Sequence, residues 1–117
     1  MSAIEEYKVS FFKRVILGSP VLGMKSVNGF LSQYISEADN IKDANSTINA
    51  IESVLNGQIE KIDSTLNSMV TISMDINSTK IYDDPIFDVN TEHFTLPTIH
   101  FKELALAWRN FIQTQVQ

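Results

Sequence analysis

The side chains best suited to chemistry in this sequence are the carboxylates and the histidine of one short stretch, Asp83, Asp84, Asp88, Glu92 and His93. Hard cations bind where several oxygen ligands converge, so this stretch could in principle form a metal site. Its spacing does not match an EF-hand loop, because the glycine and the regularly spaced acidic ligands are missing. The spacing also selects no pair of carboxylates for cleavage of a glycosidic bond. We therefore expect a polar acidic loop without metal or cofactor.

Nucleophilic catalysis is poorly supported by the rest of the chain. The sequence contains no cysteine, and its two histidines are His93 and His100. No serine lies in a Gly-x-Ser-x-Gly turn, and none of the four glycines forms a phosphate-binding loop. Because nucleophilic catalysis needs a hydroxyl or thiol next to a base, we expect no catalytic residues and no enzymatic activity.

A protein-binding surface is the remaining interpretation of the acidic stretch. Between Asp75 and Glu92 the only basic residue is Lys80, which gives this part of the chain a local net charge of −4. Aromatic side chains such as Tyr82 and Phe87 are common anchors in protein interfaces, although both could instead pack in the core. A solvated acidic loop is the alternative. The predicted partner-binding residues are Asp75, Tyr82, Asp83, Asp84, Asp88 and Glu92.

Composition restricts the class of protein. With 117 residues, 44% hydrophobic and 20% charged, the chain is expected to form a single domain over residues 1–117. Its net charge of −5 argues against nucleic-acid binding, which requires clustered lysine and arginine. The longest nearly apolar run, Val15–Met24, is broken by glycine and proline and is too short to span a bilayer. We expect a cytoplasmic protein without membrane contact; the absence of cysteine fits a reducing compartment.

The N-terminal half is predicted to be mainly helical. Apolar residues recur at helical spacing over residues 3–17, with Ser2 as N-cap, although Tyr7, Val9 and Phe11 alternate and make a strand over 7–17 the alternative. Gly18-Ser19-Pro20 is expected to end this element. A second helix is predicted over 25–37, followed by a polar loop to Asn45. A third helix, capped by Asp43 or Asn45, should end at Asn56-Gly57.

In the C-terminal half, the spacing of the apolar residues changes from that of a helix to that of a strand. Val70, Ile72, Met74 and Ile76 alternate with polar residues, which predicts a strand with one solvated face. Strands are also expected within 58–63 and at 79–83, with turns at 65–68 and 77–78. A loop is expected over 83–95 and could hold a short strand near 86–89. An extended segment is expected at 94–96. Pro97 and an N-cap at Thr98 then precede an amphipathic helix. The predicted fold is α+β: N-terminal helices, an antiparallel meander of three to four strands and a C-terminal helix packed on the sheet.

Part of this pattern resembles a known group of proteins. The elements concerned are Asn56-Gly57-Gln58-Ile59 after a helix, the strands 69–76 and 80–83, the segment Leu96-Pro97-Thr98-Ile99-His100-Phe101, and Trp108 and Phe111 in the last helix. This stretch is similar to small bacterial immunity proteins, the antidotes encoded beside polymorphic toxins, including those of contact-dependent growth inhibition systems. Several such families have a proline-led segment, a Phe on the first helical turn and a Trp about seven residues later, as Pro97, Phe101 and Trp108 do here.

The resemblance implies a function without catalysis. An immunity protein binds the C-terminal domain of its toxin tightly, and that domain is commonly a nuclease with a basic substrate-binding face. An acidic surface would accelerate association with such a face and cover it. In this pattern Phe101 and Trp108 are expected to be core residues. The alternative is an intracellular adaptor or structural module that homodimerises through an exposed sheet edge.

Overall fold

Two antiparallel sheets and four helices make up the part of the chain that the structure, a computed structural model, describes, namely residues 2–65, 70–82 and 93–115. In chain order the elements are α1 Ala3–Glu6, β1 Ser10–Ile16, β2 Ser19–Lys25, α2 Gly29–Ser36, α3 Ile41–Leu55, β3 Lys61–Thr65, β4 Thr71–Asp75, β5 Ser78–Tyr82, β6 His93–Pro97 and α4 Thr98–Gln115. The α+β prediction is confirmed. Of the loop expected over 83–95, residues 83–92 with the optional strand near 86–89 lie outside the described residues, as do residues 66–68 of the turn expected at 65–68.

The four-stranded sheet is a meander in the order β3-β4-β5-β6. Ile72 of β4 pairs with Ile81 of β5, and Ile81 pairs with Phe94 of β6. Because directly paired residues point to the same face, these side chains form an apolar layer, to which Met74 and Leu96 also belong. The predicted strand at 79–83 agrees with β5 to within one residue at each end, and the predicted extended segment at 94–96 lies within β6.

Helices α3 and α4 cover that apolar layer. The buried stripe of α3 contains Ala44, Ile48, Ile51 and Val54, and that of α4 contains Phe101, Leu104, Ala105, Trp108 and Ile112. Phe101 is 0% exposed and Trp108 is 1% exposed, and the Trp108 indole N–H donates to the Ala38 carbonyl oxygen at 2.8 Å. The prediction that α4 packs on the sheet through these two rings is confirmed.

The start of α4 is fixed by hydrogen bonds to the β4–β5 turn. Rather than capping the helix from outside, as expected, Thr98 is its first residue. Its hydroxyl donates to the Asp75 carbonyl oxygen at 2.6 Å, so the Thr79 hydroxyl, 3.0 Å away, must be the donor of the bond between the two threonines. Both threonines are 0% exposed. This buried pair joins the helix to the sheet.

The predicted helix over residues 3–17 is wrong. Only Ala3–Glu6 is helical, with Ser2 as the expected N-cap accepting from the Glu5 N–H. The chain then forms the antiparallel β1–β2 hairpin, whose second strand was not predicted. The alternative strand over 7–17 was therefore closer. The hairpin base is held on α4, where the Phe11 ring stacks on Phe111 with centroids 5.1 Å apart.

The two middle helices form as expected, but their N-termini are set by other residues. Asn28 caps α2 by accepting from the N–H groups of Phe30 and Leu31, so the helix begins at Gly29 rather than at 25. Asn40 caps α3 by accepting from the Asp43 N–H, which corrects the expectation of Asp43 or Asn45. The predicted stop is confirmed, since α3 ends at Leu55 and Gly57 adopts φ +81°.

Candidate functional site

Asp75 is the first predicted contact residue that the structure describes, and its carboxylate is used within its own turn. The oxygen Oδ1 accepts from the N–H of Asn77 at 2.8 Å and from the N–H of Ser78 at 2.9 Å. These two bonds lower the pKa of the Asp75 carboxyl from its ordinary value, and the bond from Ser78 has the larger effect. Asp75 therefore stays charged and closes the β4–β5 turn, which aligns the strands that lead to the acidic segment.

Tyr82 is the second described contact residue, and it is buried, with 3% of its surface exposed. It lies opposite Thr71 of β4, which is 3% exposed, while Ser73 on the same face is 7% exposed. The prediction that β4 has one solvated face is therefore wrong. The polar face is covered at its centre, and Tyr82 contributes to packing rather than to an open surface.

The four remaining predicted contacts, Asp83, Asp84, Asp88 and Glu92, lie outside the described residues. What the structure gives is the position of the two ends of their segment. The chain leaves the sheet at Tyr82 and re-enters it at His93, and these two residues are directly paired across β5 and β6. The acidic segment, which we define as residues 83–92, therefore starts and finishes at the same end of the sheet.

The exposed part of the polar sheet face has both signs of charge. Lys61 and Asp63 of β3 are exposed and form an ion pair at 3.9 Å, and Lys80 of β5 is also exposed. A pair this accessible contributes little to stability. Within residues 2–65, 70–82 and 93–115, no group of three or more acidic or histidine side chains could hold a metal ion. The described face offers hydrogen bonds and modest electrostatic attraction and no grouping typical of catalysis.

A separate cluster of titratable side chains joins α1 to α4. The Tyr7 hydroxyl lies 2.8 Å from His100 Nδ1, and the Glu6 carboxylate lies 3.7 Å from the same nitrogen. Glu103 of α4 accepts a hydrogen bond from the Ala3 backbone N–H. Burial, followed by the neighbouring Glu6, raises the pKa of Tyr7 to about 12. The tyrosine therefore stays neutral at physiological pH, and the cluster serves as a polar connection between the helices.

This connection predicts a loss of stability at alkaline pH. The folded-state pKa of Tyr7, about 12, exceeds its ordinary value of 10.0. The unfolded chain therefore releases the proton first, so the contribution is complete below pH 10 and is lost as pH rises towards 12. We expect this to cost up to roughly 2 kcal/mol. Urea denaturation at several pH values from neutral upwards measures it, and Tyr7→Phe should show a smaller alkaline loss. Equal alkaline losses in both proteins would contradict this assignment.

One surface was missed by sequence reasoning. The outer half of the β1–β2 hairpin, residues 13–21, is exposed throughout, and it includes Val15 at 70% and Leu17 at 102% exposure. The signal in the sequence was the glycine after Leu17, which splits the apolar run into two short segments separated by a two-residue turn. Helical spacing of the same residues obscured it. Apolar spacing did not indicate burial here.

Comparison with known proteins places the chain in no family. No protein-family model matches it, and neither a curated protein nor a solved structure does. Among the described residues, no helix has both the length and the apolar character needed to cross a membrane.

Proposed function

We propose that this protein is a bacterial immunity protein, without enzymatic activity, that binds and neutralises a toxin domain in the cytoplasm. The observation that carries the proposal is the concentration of negative charge in the acidic segment. Four of the fourteen acidic residues of the chain lie in residues 83–92, which contain no lysine or arginine. This segment alone therefore supplies −4 of the net charge of −5. Such a segment suits a partner with a basic surface, and a nuclease is the expected class.

The sheet supports the proposal by fixing both ends of the acidic segment. Ile81, next to Tyr82 in β5, is 0% exposed and Leu96 of β6 is 1% exposed, so both flanking strands are held in the core. Binding surfaces are commonly loops positioned by a rigid scaffold. In this proposal Asp83, Asp84, Asp88 and Glu92 contact the toxin. Asp75 and Tyr82 fix the strands from which the segment departs, a role that differs from the direct contacts expected from sequence.

The residues that carry the resemblance to immunity proteins also support the framework. Pro97 is the last residue of β6 and leads directly into α4. Phe101 and Trp108 occupy the buried face of that helix. These residues belong to the core, and the acidic segment that precedes them is the most highly charged part of the chain.

The homodimeric adaptor has less support from the outer strands of the described sheet. Exposed charged residues, Lys61 and Asp63, lie on β3, and β6 ends at Pro97. Charged side chains and proline on outer strands are devices that discourage pairing between sheets. Sedimentation at micromolar concentration separates the two functions, because an adaptor dimer would persist without a partner.

Direct binding tests the proposal. The expected partner is the C-terminal domain of a large secreted protein that the proposal predicts to be encoded beside this gene, purified with its catalytic activity inactivated. We expect an equimolar complex on gel filtration, with a dissociation constant in the roughly nanomolar range that is typical of specific protein complexes. Binding should weaken as salt is raised, since the acidic segment provides the attraction. An absence of complex formation with that domain would contradict the proposal.

A further inference from the structure

The tip of the β1–β2 hairpin exposes an apolar surface that no part of the described chain covers. Val15, Ile16, Leu17 and Val21 are 70%, 51%, 102% and 41% exposed, and Pro20 beside them is exposed as well. The base of the same hairpin is packed, since Met24 is 5% exposed and Phe11 stacks on Phe111. The hairpin is therefore anchored at one end and projects its apolar end into solvent.

The tip is apolar on both faces. Val15 pairs with Pro20, so these two side chains share one face of the hairpin. Ile16 and Val21 lie on the opposite face, because successive residues of a strand alternate. A hairpin that docks onto a protein surface needs one apolar face, whereas a hairpin that enters an apolar medium needs both. The arrangement favours insertion into such a medium.

The backbone at the turn adds a second, independent observation. Leu17 and Gly18 form a two-residue loop between the paired residues Ile16 and Ser19, with φ values of +52° and +82°. Turns with two positive φ values favour Asn-Gly, and a bulky apolar residue at the first position is conformationally unfavourable. Leu17 is thus poorly suited to the turn and, at 102% exposure, contributes nothing to the core. Its side chain fits a role outside this chain.

Lys13 and Arg14 lie directly behind the apolar tip, one on each face, and Lys25 lies at the base of the hairpin, paired with Ser10. Residues 10–25 contain Lys13, Arg14 and Lys25 and no acidic residue, although the whole chain has a net charge of −5. The Arg14 Cζ atom lies 4.8 Å from the centroid of the Phe12 ring, and the Lys25 Nζ atom lies 5.7 Å from the same centroid. Both residues are on the hairpin face opposite Lys13. Apolar residues at the end and cations one step behind them match the layers of a membrane surface, where anionic headgroups lie above the acyl chains.

We propose that the hairpin tip inserts into the surface of a membrane that contains anionic lipids. Val15, Ile16, Leu17 and Val21 enter the boundary of the acyl chains, and Lys13 and Arg14 pair with the lipid phosphates. The insertion is shallow, because a two-stranded hairpin has unpaired backbone groups along its outer edges that require water or headgroups. The expectation of no membrane contact rested on a run too short to span a bilayer, and a surface contact needs no span. The proposal is independent of toxin binding.

Flotation of the full chain with vesicles tests it. We expect binding to vesicles of phosphatidylcholine mixed with phosphatidylglycerol, and much weaker binding to phosphatidylcholine alone or at high salt. Leu17→Asn should reduce binding about 10-fold or more while leaving the melting temperature equal or higher, since asparagine suits the turn. The double variant Lys13→Gln/Arg14→Gln should lose the preference for anionic vesicles.

The matched control is Ile99→Asn, which removes an exposed aliphatic side chain with the same number of carbon atoms as that of Leu17. Ile99 is 59% exposed and lies in the first turn of α4, about 18 Å along the helix from Phe111, where the hairpin packs. It should bind vesicles as the unaltered protein does. The proposal is overturned by failure of the unaltered protein to float, by undiminished binding of Leu17→Asn, or by loss of toxin binding in Leu17→Asn without any vesicle binding. The last result would assign the tip to a protein interface.

Discussion

Replacing Trp108 by alanine should lower the free energy of unfolding by about 3–5 kcal/mol, the range for removing a large aromatic ring from a core. The ring is 1% exposed and lies in contact with Phe11 and Phe111. Its N–H also donates to the Ala38 carbonyl oxygen, which would lose its partner. The loss should therefore combine a cavity with an unsatisfied polar group. Urea denaturation followed by circular dichroism measures it without relying on tryptophan fluorescence.

Two controls separate the parts of this effect. Trp108→Phe retains much of the ring volume but removes the N–H, so it should cost less than the alanine variant. Ile99→Ala changes an exposed residue of the same helix, 59% exposed, and should alter stability by about 0.5 kcal/mol or less. A Trp108→Ala protein as stable as the unaltered one would show that α4 does not depend on this ring and would contradict the described core.

Reversing two charges in the acidic segment should strongly slow association with the proposed toxin domain. Asp83→Lys/Asp84→Lys changes the charge of residues 83–92 from −4 to neutral. Since electrostatic attraction mainly increases association rates, we expect a decrease of about 10- to 100-fold in the association rate constant at low salt. The dissociation rate should change less, and the difference between the two proteins should shrink as salt rises. Surface plasmon resonance over a range of salt concentrations measures all three quantities.

The matched control reverses the same number of charges elsewhere. Asp39 and Glu60 are exposed residues of the loops before α3 and before β3. The variant Asp39→Lys/Glu60→Lys should retain most of the association rate, because it leaves the acidic segment intact. Equal slowing in the two variants would assign the effect to net charge alone, and no slowing in Asp83→Lys/Asp84→Lys would place the interface elsewhere.

The C-terminal helix and the meander could be predicted because their signals are local. Phe101, Leu104 and Trp108 recur at helical spacing, and all three are buried in α4. The alternation of Val70, Ile72 and Met74 likewise identified β4, and Asn77 marked the turn before β5. In each case the period of the apolar residues reports the face that packs on the core.

The N-terminal hairpin could not be assigned for two reasons. Its apolar residues match both helical and strand spacing, and some of them are buried while others are exposed. Tyr7 and Phe11 are held by His100 and Phe111, residues at the other end of the chain, which no local pattern reveals. Val15 and Ile16 fit a helical stripe but are 70% and 51% exposed. The helical spacing therefore included exposed residues that do not belong to the core. The glycine after Leu17 was the better indicator, because it marks the turn of the hairpin.

Polar residues caused the other errors. Thr71 and Ser73 alternate with apolar residues, which predicts solvent exposure, yet they are 3% and 7% exposed. Hydroxyl groups can be buried when they are hydrogen-bonded, so polarity alone does not identify a solvated face. The start of α3 was placed too late because several residues of the polar stretch from Glu37 to Asn45 can cap a helix, and only the structure identifies Asn40. Of the predicted contacts, the structure describes Asp75 and Tyr82 alone; the Asp75 carboxylate accepts hydrogen bonds within its own turn, and Tyr82 is buried.

Growth rescue tests the proposed function most directly. The C-terminal domain of the secreted protein that the proposal predicts beside this gene is expressed in bacteria from an inducible promoter, with and without this chain. We predict that the domain alone stops growth, that co-expression of the unaltered chain restores it, and that Asp83→Lys/Asp84→Lys restores it less than Asp39→Lys/Glu60→Lys. Growth arrest that persists when this chain is present as a folded protein would contradict the account.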